Sequence, residues 1–326
     1  MDAKDGVTAR DGAGHPERGL FSEEHSADVV VASFADASDQ RLKQVLASLV
    51  HHLHAFVKDV ELSEEEWARA IEFLTRTGQM CNDVRQEFIL LSDVLGVSML
   101  LETINHRTGG TATESTVLGP FHMVESPKRQ LGENINLDGK GIPCLVSGQV
   151  TGSDGEPVPG ASVDVWQANE DGFYDVQQPD VQPAGNLRGL FTADAAGRFW
   201  FRSVVPRFYP IPDDGPVGEL LAATGRHPYR PAHLHFIVAA EGYRPVTTHV
   251  FVAESPYLDS DAVFGVKESL IRSVPEVDDP VRSAKIGLTS PFRTLTFDIT
   301  LIRTDQNPVA AQSGQPQAGV DRGAST

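Results

Sequence analysis

The sequence predicts an α+β protein, an N-terminal helical domain followed by an all-β sandwich. Three observations carry that expectation. Apolar residues recur at three- and four-residue steps before Thr108-Gly109-Gly110-Thr111, they alternate with a period of two after it, and no helical pattern is interleaved among the later strands. Residues 1–25 and 307–326 are polar and aperiodic and read as a disordered lead-in and tail. The helical domain is therefore bounded at 26–110 and the sandwich at 111–306.

The first helix is announced by Leu42, Val45, Leu46, Leu49, Val50, Leu53, Phe56 and Val57, which fall on one stripe. That stripe is wide and Leu-rich, so it suits either an ordinary core or a subunit contact. Ser63-Glu64-Glu65-Glu66 is a capping box, in which the serine accepts from the amide three residues on and Glu66 reaches back. Trp67, Ile71 and Leu74 then form the expected buried side of a second helix. A third helix is expected from about Asn82 to Glu102, through Val84, Phe88, Leu91, Leu95 and Met99. Strands follow at Val163 to Trp166, Arg198 to Arg202, His233 to Val238, Val246 to Phe251 and Thr294 to Ile299. Turn clusters such as Gly152-Ser153-Asp154-Gly155 and Asp194-Ala195-Ala196-Gly197 separate them.

Composition excludes several functions. The 326 residues hold 27 Lys+Arg against 45 Asp+Glu, a net charge of −18, and contain no basic block. Nucleic acid and anionic membrane surfaces are therefore poor partners. Only Cys81 and Cys144 are present, which leaves no disulfide framework and no thiolate zinc site. No run is apolar or long enough for a membrane span, and no apolar leader opens the chain, so a cytoplasmic protein is expected.

The sharpest local feature is His233-Leu234-His235. Residues two apart on a strand share a face, so both imidazoles can approach one metal ion. Arg230-Pro231-Ala232 precedes the pair and Phe236-Ile237-Val238 continues it as core-quality sequence, a setting in which ionisable groups need partners. Tyr174 and Tyr209 lie upstream in turn-rich segments. Two phenolates with two neutral imidazoles form a hard, anionic set that suits ferric iron. His51, His52 and His54 lack acidic or Cys partners at ligand spacing and read as a solvated helix face.

From about Leu118 to Leu270 the chain resembles the catalytic domain of the intradiol ring-cleavage dioxygenases, the catechol 1,2-dioxygenase family. The matching segments are Leu118-Gly119-Pro120-Phe121, Gly148 to Ala161, Val165 to Asn169, Gly172-Phe173-Tyr174-Asp175, Arg188-Gly189, Pro206 to Pro212, Pro228 to His235 and Gly242-Tyr243-Arg244. The likeness extends into the N-terminal helices.

The resemblance implies Fe(III), one per subunit, held by Tyr174, Tyr209, His233 and His235. It also implies a catalytic arginine at Arg230, and His249 where the family usually has a glutamine. The iron would stay ferric and prime an aromatic diol for attack by O2. Tyr209 would leave the metal and take up a substrate proton, and Arg230 would stabilise negative charge on the ring. The implied product is a cis,cis-muconate-type dicarboxylate. Positions matching the family pocket are Leu90, Asp93, Val117, Gly119, Pro120, Ile211 and Val263. Asp93 points to hydroxyquinol (benzene-1,2,4-triol), because a carboxylate can accept a hydrogen bond from the third hydroxyl that catechol lacks. The product would then be 3-hydroxy-cis,cis-muconate, which tautomerises to maleylacetate. Catechol and chlorocatechol are the alternative substrates. The resemblance further implies a homodimer through the N-terminal helices, with an apolar tunnel that can hold a phospholipid.

Two readings from other classes compete. The run from Gly148 to Val165 also resembles transthyretin-like sandwich modules, which bind or pack without chemistry, but such a module has no use for the Tyr/His set. A zinc hydrolase built on the His pair lacks a third ligand and a base.

Overall fold

The computed structural model describes residues 19–83, 85–122 and 125–305. The tail expected at 307–326, most of the lead-in and Val84 lie outside the described residues. The chain divides into two compact units, Met1–Thr75 and Arg76–Thr326.

Helices come first: α1 (Ser26–Ala32), α2 (Gln40–Asp59), α3 (Glu64–Gln79), α4 (Glu87–Val94) and α5 (Val97–Asn105). The Asp39 carboxylate caps α2 by accepting from the Leu42 amide at 3.0 Å. The capping box of α3 forms as expected, with Ser63 Oγ accepting from the Glu66 amide (3.2 Å) and Glu66 Oε2 accepting from the Ser63 amide (3.0 Å). Helix α1 was not expected; its Ser26 hydroxyl lies 3.0 Å from His54 Nδ1.

The long third helix is corrected to two, α4 and α5. Gly96, at φ 73°, takes a left-handed conformation that a side chain resists, and it redirects the chain between them. The expected burial on α3 is also corrected. Trp67 is 58 % exposed, and Ile71, Leu74 and most of the α2 stripe (Leu42, Val45, Leu49, Leu53, Phe56 and Val57) are exposed on the single chain, with Leu46 and Val50 partly covered. Periodicity identifies an apolar face but not what covers it.

The β part contains β1 (Pro143–Gly152), β2 (Ser162–Gln167), β3 (Arg188–Thr192), β4 (Arg198–Val204) and β5 (Tyr209–Pro210), then α6 (Pro216–Ala223). There follow β6 (Tyr229–Arg230), β7 (His233–Ala239), β8 (Val246–Val252), β9 (Ile271–Arg272) and β10 (Glu276–Val277). The last elements are α7 (Pro280–Ile286), β11 (Phe292–Thr296) and β12 (Ile299–Leu301). One sheet runs β10-β11-β1-β12 with β4 on the other side of β1; the second runs β3-β2-β7-β8-β9. Helices α6 and α7 correct the expectation of a helix-free β part. Each begins on a proline, which tolerates the first turn because its missing N–H has no partner there.

The strand expected from Thr294 to Ile299 is split. Phe297 donates its amide to Ser147 O (2.9 Å) and Asp298 Oδ1 accepts from the Gln149 amide (2.9 Å), so β11 pairs with the first half of β1 and β12 with the second.

The two sheets enclose one apolar core. Val146, Val150, Phe199, Phe201, Leu295 and Ile299 of the first sheet pack with Val163, Val165, Leu234, Phe236, Val238 and Val250 of the second. Alternation along β7 therefore sends Leu234 and Phe236 inward and His233 and His235 to the opposite face. On that face loops cover the second sheet, and Trp166, Ala168, Tyr174 and Tyr209 form a separate buried cluster.

Candidate metal centre

The register of the second sheet arranges this face. His235 on β7 lies directly across from Trp166 on β2 and from His249 on β8. Opposed side chains in an antiparallel pair share a face. Trp166 accordingly stacks on the His235 ring at 4.6 Å between centroids and 14° between planes. The β5–β6 pairing sets Tyr209 across from Arg230. Tyr174 sits in a loop pinned by its neighbour: Asp175 accepts from Arg188 Nε at 2.7 Å and from the Gly185 amide at 2.9 Å.

Four donor atoms converge. The Tyr174 and Tyr209 hydroxyl oxygens are 3.2 Å apart, Tyr174 Oη lies 2.8 Å from His235 Nε2, Tyr209 Oη lies 3.3 Å from His233 Nε2, and the two Nε2 atoms are 3.2 Å apart. Ligands bound at ~2.0–2.2 Å to one tetrahedral ion stand ~3.3–3.6 Å from each other, close to this spacing. All four side chains are buried.

Protonation fits the same use. His233 Nδ1 is 2.6 Å from the Pro231 carbonyl, which can only accept, so the proton is on Nδ1 and the Nε2 lone pair faces the centre. His235 Nδ1 is 2.8 Å from His249 Nε2, and His249 Nδ1 is 2.6 Å from Thr116 Oγ1. With His235 donating to His249 and His249 to Thr116, the His235 Nε2 lone pair also faces inward. Burial, with the Arg230 charge adding to it, holds the imidazoles of His233, His235 and His249 well below the usual histidine range. All three imidazoles are therefore neutral at physiological pH. Burial first, and then Tyr209, push the Tyr174 phenol well above its ordinary value, while Arg230 and Arg188 act against them. A bound cation reverses that preference by pairing with the phenolate.

His233, His235 and His249 also lie close enough together for a three-histidine site, their ligand atoms within 4.8 Å. The Tyr₂His₂ set fits better. His249 approaches the far edge of the His235 ring, and both of its nitrogens are engaged there. It lies on the side of His235 away from the converging donor atoms, where a neighbour holds a ring in place.

Arg230 borders the centre, with Nη1 3.4 Å from His233 Nε2. Burial works to lower its guanidinium, but Asp261 and Tyr209 outweigh burial and hold it above its usual range, so it is a permanent cation. Gly119, at φ 78°, passes so near His235 that a Cβ would stand 3.1 Å from its Cε1. Phe121 stacks on Tyr174 at 4.6 Å.

Of the expected pocket residues, Leu90, Val117, Ile211 and Val263 join one apolar cluster with Val94, Val217, Leu221 and Ala262. Asp93, at the end of α4, is half-buried. Its carboxyl is raised by burial, against a hydrogen bond from Ser98 and the charge of Arg230. Pro120 is exposed beside Gly119, and no contact draws it into the cluster.

The same architecture recurs in known proteins. Residues 118–302 match the family model described as Dioxygenase, and residues 39–113 match the Catechol dioxygenase N terminus. The chain belongs to the intradiol dioxygenase family. A hydroxyquinol 1,2-dioxygenase of Rhizobium sp. (strain MTP-10005) is 54% identical over 87% of this chain and 97% of its own length. A 6-chlorohydroxyquinol 1,2-dioxygenase of Cupriavidus pinatubonensis is 53% identical over 77% of this chain and 91% of its own. The solved hydroxyquinol 1,2-dioxygenase of Pseudomonas putida DLL-E4 superposes with a TM-score of 0.82 at 50% identity, covering 86% of this chain and 98% of that one.

Sequence reasoning missed several groups around the centre of this dioxygenase. Trp166 was legible as a strand residue, but its stack on His235 depends on sheet register. Thr116 and Asp261 stand in polar loop segments without any local signal, and only the fold brings them to His249 and Arg230.

Proposed function

We propose that this dioxygenase cleaves hydroxyquinol between its adjacent hydroxyl-bearing carbons, both atoms of O2 entering 3-hydroxy-cis,cis-muconate, the tautomer of maleylacetate. Ferric iron, one per subunit and held by Tyr174, Tyr209, His233 and His235, would supply the electronic coupling that lets a singlet diol react with triplet O2. Tyr209 Oη would accept a proton from an incoming diol hydroxyl, with the Arg230 cation opposite it in the β5–β6 pair steadying the charge left on the diol oxygen. Arg230 Nη1 stabilises negative charge on the substrate oxygens and ring. Leu90, Val117, Ile211 and Val263 receive the apolar edges of the ring and exclude water, and Gly119 leaves room beside His235.

The observation that carries the substrate assignment is Asp93. It lies half-buried on α4 between Leu91 and Val94, which pack in the apolar cluster, and it feels the charges of Arg230 and Asp261. The third hydroxyl of hydroxyquinol offers it a further partner beside Ser98, one that catechol lacks. The relatives named above act on hydroxyquinols. We expect Asp93→Ala to lower kcat/KM for hydroxyquinol by roughly 10- to 100-fold, the worth of one hydrogen bond to a charged group, with a much smaller loss for catechol. Steady-state kinetics on both substrates decide this, and equal losses would remove Asp93 from substrate recognition.

His249 orients His235 through the Thr116–His249–His235 chain. His249→Ala should weaken iron retention by roughly 10- to 100-fold, the usual cost of deleting a group that orients a ligand. Chelator competition measures this, and an unchanged off-rate would rule the role out.

The helical region 26–110 forms the contact of a homodimer and 111–306 carries the chemistry. The open apolar stripe of α2, with Phe56 at 52 % exposure, supports that contact and offers acyl chains of a phospholipid a lining. Cys81 and Cys144 are free thiols, in keeping with a cytoplasmic enzyme. No helix among the described residues is long and apolar enough to cross a membrane.

A further inference from the structure

We infer that Asp261 is the positioning residue of the site: its carboxylate fixes which edge of Arg230 faces the substrate and ties that cation to the loop bearing the pocket wall. The inference rests on the dioxygenase reading above and concerns residues of this chain alone.

The geometry is specific. Arg230 Nε donates to Asp261 Oδ1 at 3.1 Å and Nη2 donates to Oδ2 at 3.4 Å, both side chains being almost completely buried. This fork occupies one edge of the planar guanidinium. Only Nη1 then remains turned toward the ligands, 3.4 Å from His233 Nε2. The same carboxylate accepts from the Val263 amide (3.3 Å) and from the Gly265 amide (2.9 Å). Val263 is part of the apolar cluster expected to receive the substrate ring. Gly265 passes so close that a Cβ there would stand 2.9 Å from Arg230 Nη2 and 3.1 Å from Asp261 Oδ2. One carboxylate thus links the cation, the apolar wall and the backbone behind both.

Asp93 makes the fork matter for selectivity. It is a second carboxyl within reach of the Arg230 charge. A guanidinium released from Asp261 no longer holds its charge and donor edge fixed relative to that carboxyl, so the way Asp93 reads the third hydroxyl shifts with it. Loss of Asp261 should therefore cost rate and preference together, which simple loosening of the fold would not do.

The experiment is a double-mutant cycle between Asp261→Asn and Arg230→Met on the iron-loaded full chain. Four readouts are taken: iron content, anaerobic affinity for hydroxyquinol, kcat/KM for hydroxyquinol and catechol, and thermal midpoint. Alone, Asp261→Asn is expected to lower kcat/KM for hydroxyquinol by roughly 10- to 100-fold, to weaken anaerobic binding, to narrow the hydroxyquinol-to-catechol ratio and to keep iron content at the wild-type level. In the Arg230→Met background it should change kcat/KM by less than about twofold, as expected for two groups acting through one contact. There it should raise the thermal midpoint, because the aspartate of that variant is buried without its partner. Equal losses in both backgrounds, or wild-type kinetics for Asp261→Asn, overturn the inference. Should Asp261→Asn not accumulate, Gly265→Ala presses on Arg230 with the carboxylate intact, and wild-type kinetics there overturn it equally. A wild-type chain that turns over neither diol would sink the dioxygenase substrate reading and is scored separately.

Discussion

Exchanging Tyr174 for phenylalanine should weaken or abolish the visible colour of the iron-loaded protein and bring turnover to background. Tyr174 Oη stands 2.8 Å from His235 Nε2 and 3.2 Å from Tyr209 Oη, inside a buried cluster. Burial, and then Tyr209, push its phenol well above its ordinary value, so a phenolate there needs a cation to pair with. Tyrosinate bound to ferric iron absorbs in the visible through ligand-to-metal charge transfer, and phenylalanine removes one of the two sources. The hard anionic character that favours the ferric state falls with it. Absorbance spectra and iron analysis of both proteins check this. A wild-type chain purified colourless and iron-free from iron-replete cells would falsify the assignment of the centre.

Arg230→Met should lower kcat by roughly 10²- to 10³-fold, the usual cost of deleting one charge-stabilising donor. It should also cost about 3–5 kcal/mol of stability, because the buried Asp261 carboxylate loses its counter-charge. The two effects separate in Arg230→Lys. Lysine keeps the charge but cannot fork across both Asp261 oxygens while reaching toward His233, so stability should recover more than rate. Denaturant midpoints and single-turnover rates measure the two halves. An Arg230→Met enzyme with undiminished kcat would place the cation outside the chemistry.

How far the site could be read from the chain depended on what each residue needs. His233 and His235 are two apart on a strand, and strand geometry alone puts them on one face whatever the rest of the fold does. The tyrosines carry no such local rule. Tyr174 and His235 are 61 positions apart and belong to different elements, so their 2.8 Å approach reflects sheet order and a pinned loop. They are legible only as a donor set that suits a ferric ion and through resemblance to a known pattern, not through spacing. Asp261 lies 31 positions from Arg230 in a turn-like Asp-Ser-Asp segment that composition cannot distinguish from any solvated loop. Gly96 shows the converse failure, where an unbroken apolar pattern suggested one helix and a single left-handed glycine made two. The α2 stripe was legible as apolar, yet its exposure on one chain was not.

By itself, the order of residues determined the switch from three-and-four spacing to alternation, and with it the helix-then-sandwich architecture. It also determined the pairing of histidines on one strand face, because backbone repeats act over a few neighbouring positions. Tertiary structure alone decided which imidazole nitrogen faces inward, which histidine stands behind another, and which carboxylate holds Arg230. Those are contacts between segments far apart along the chain, set by strand register and loop closure. Hydrogen-bond geometry at ~3 Å is sensitive to displacements that no local pattern encodes.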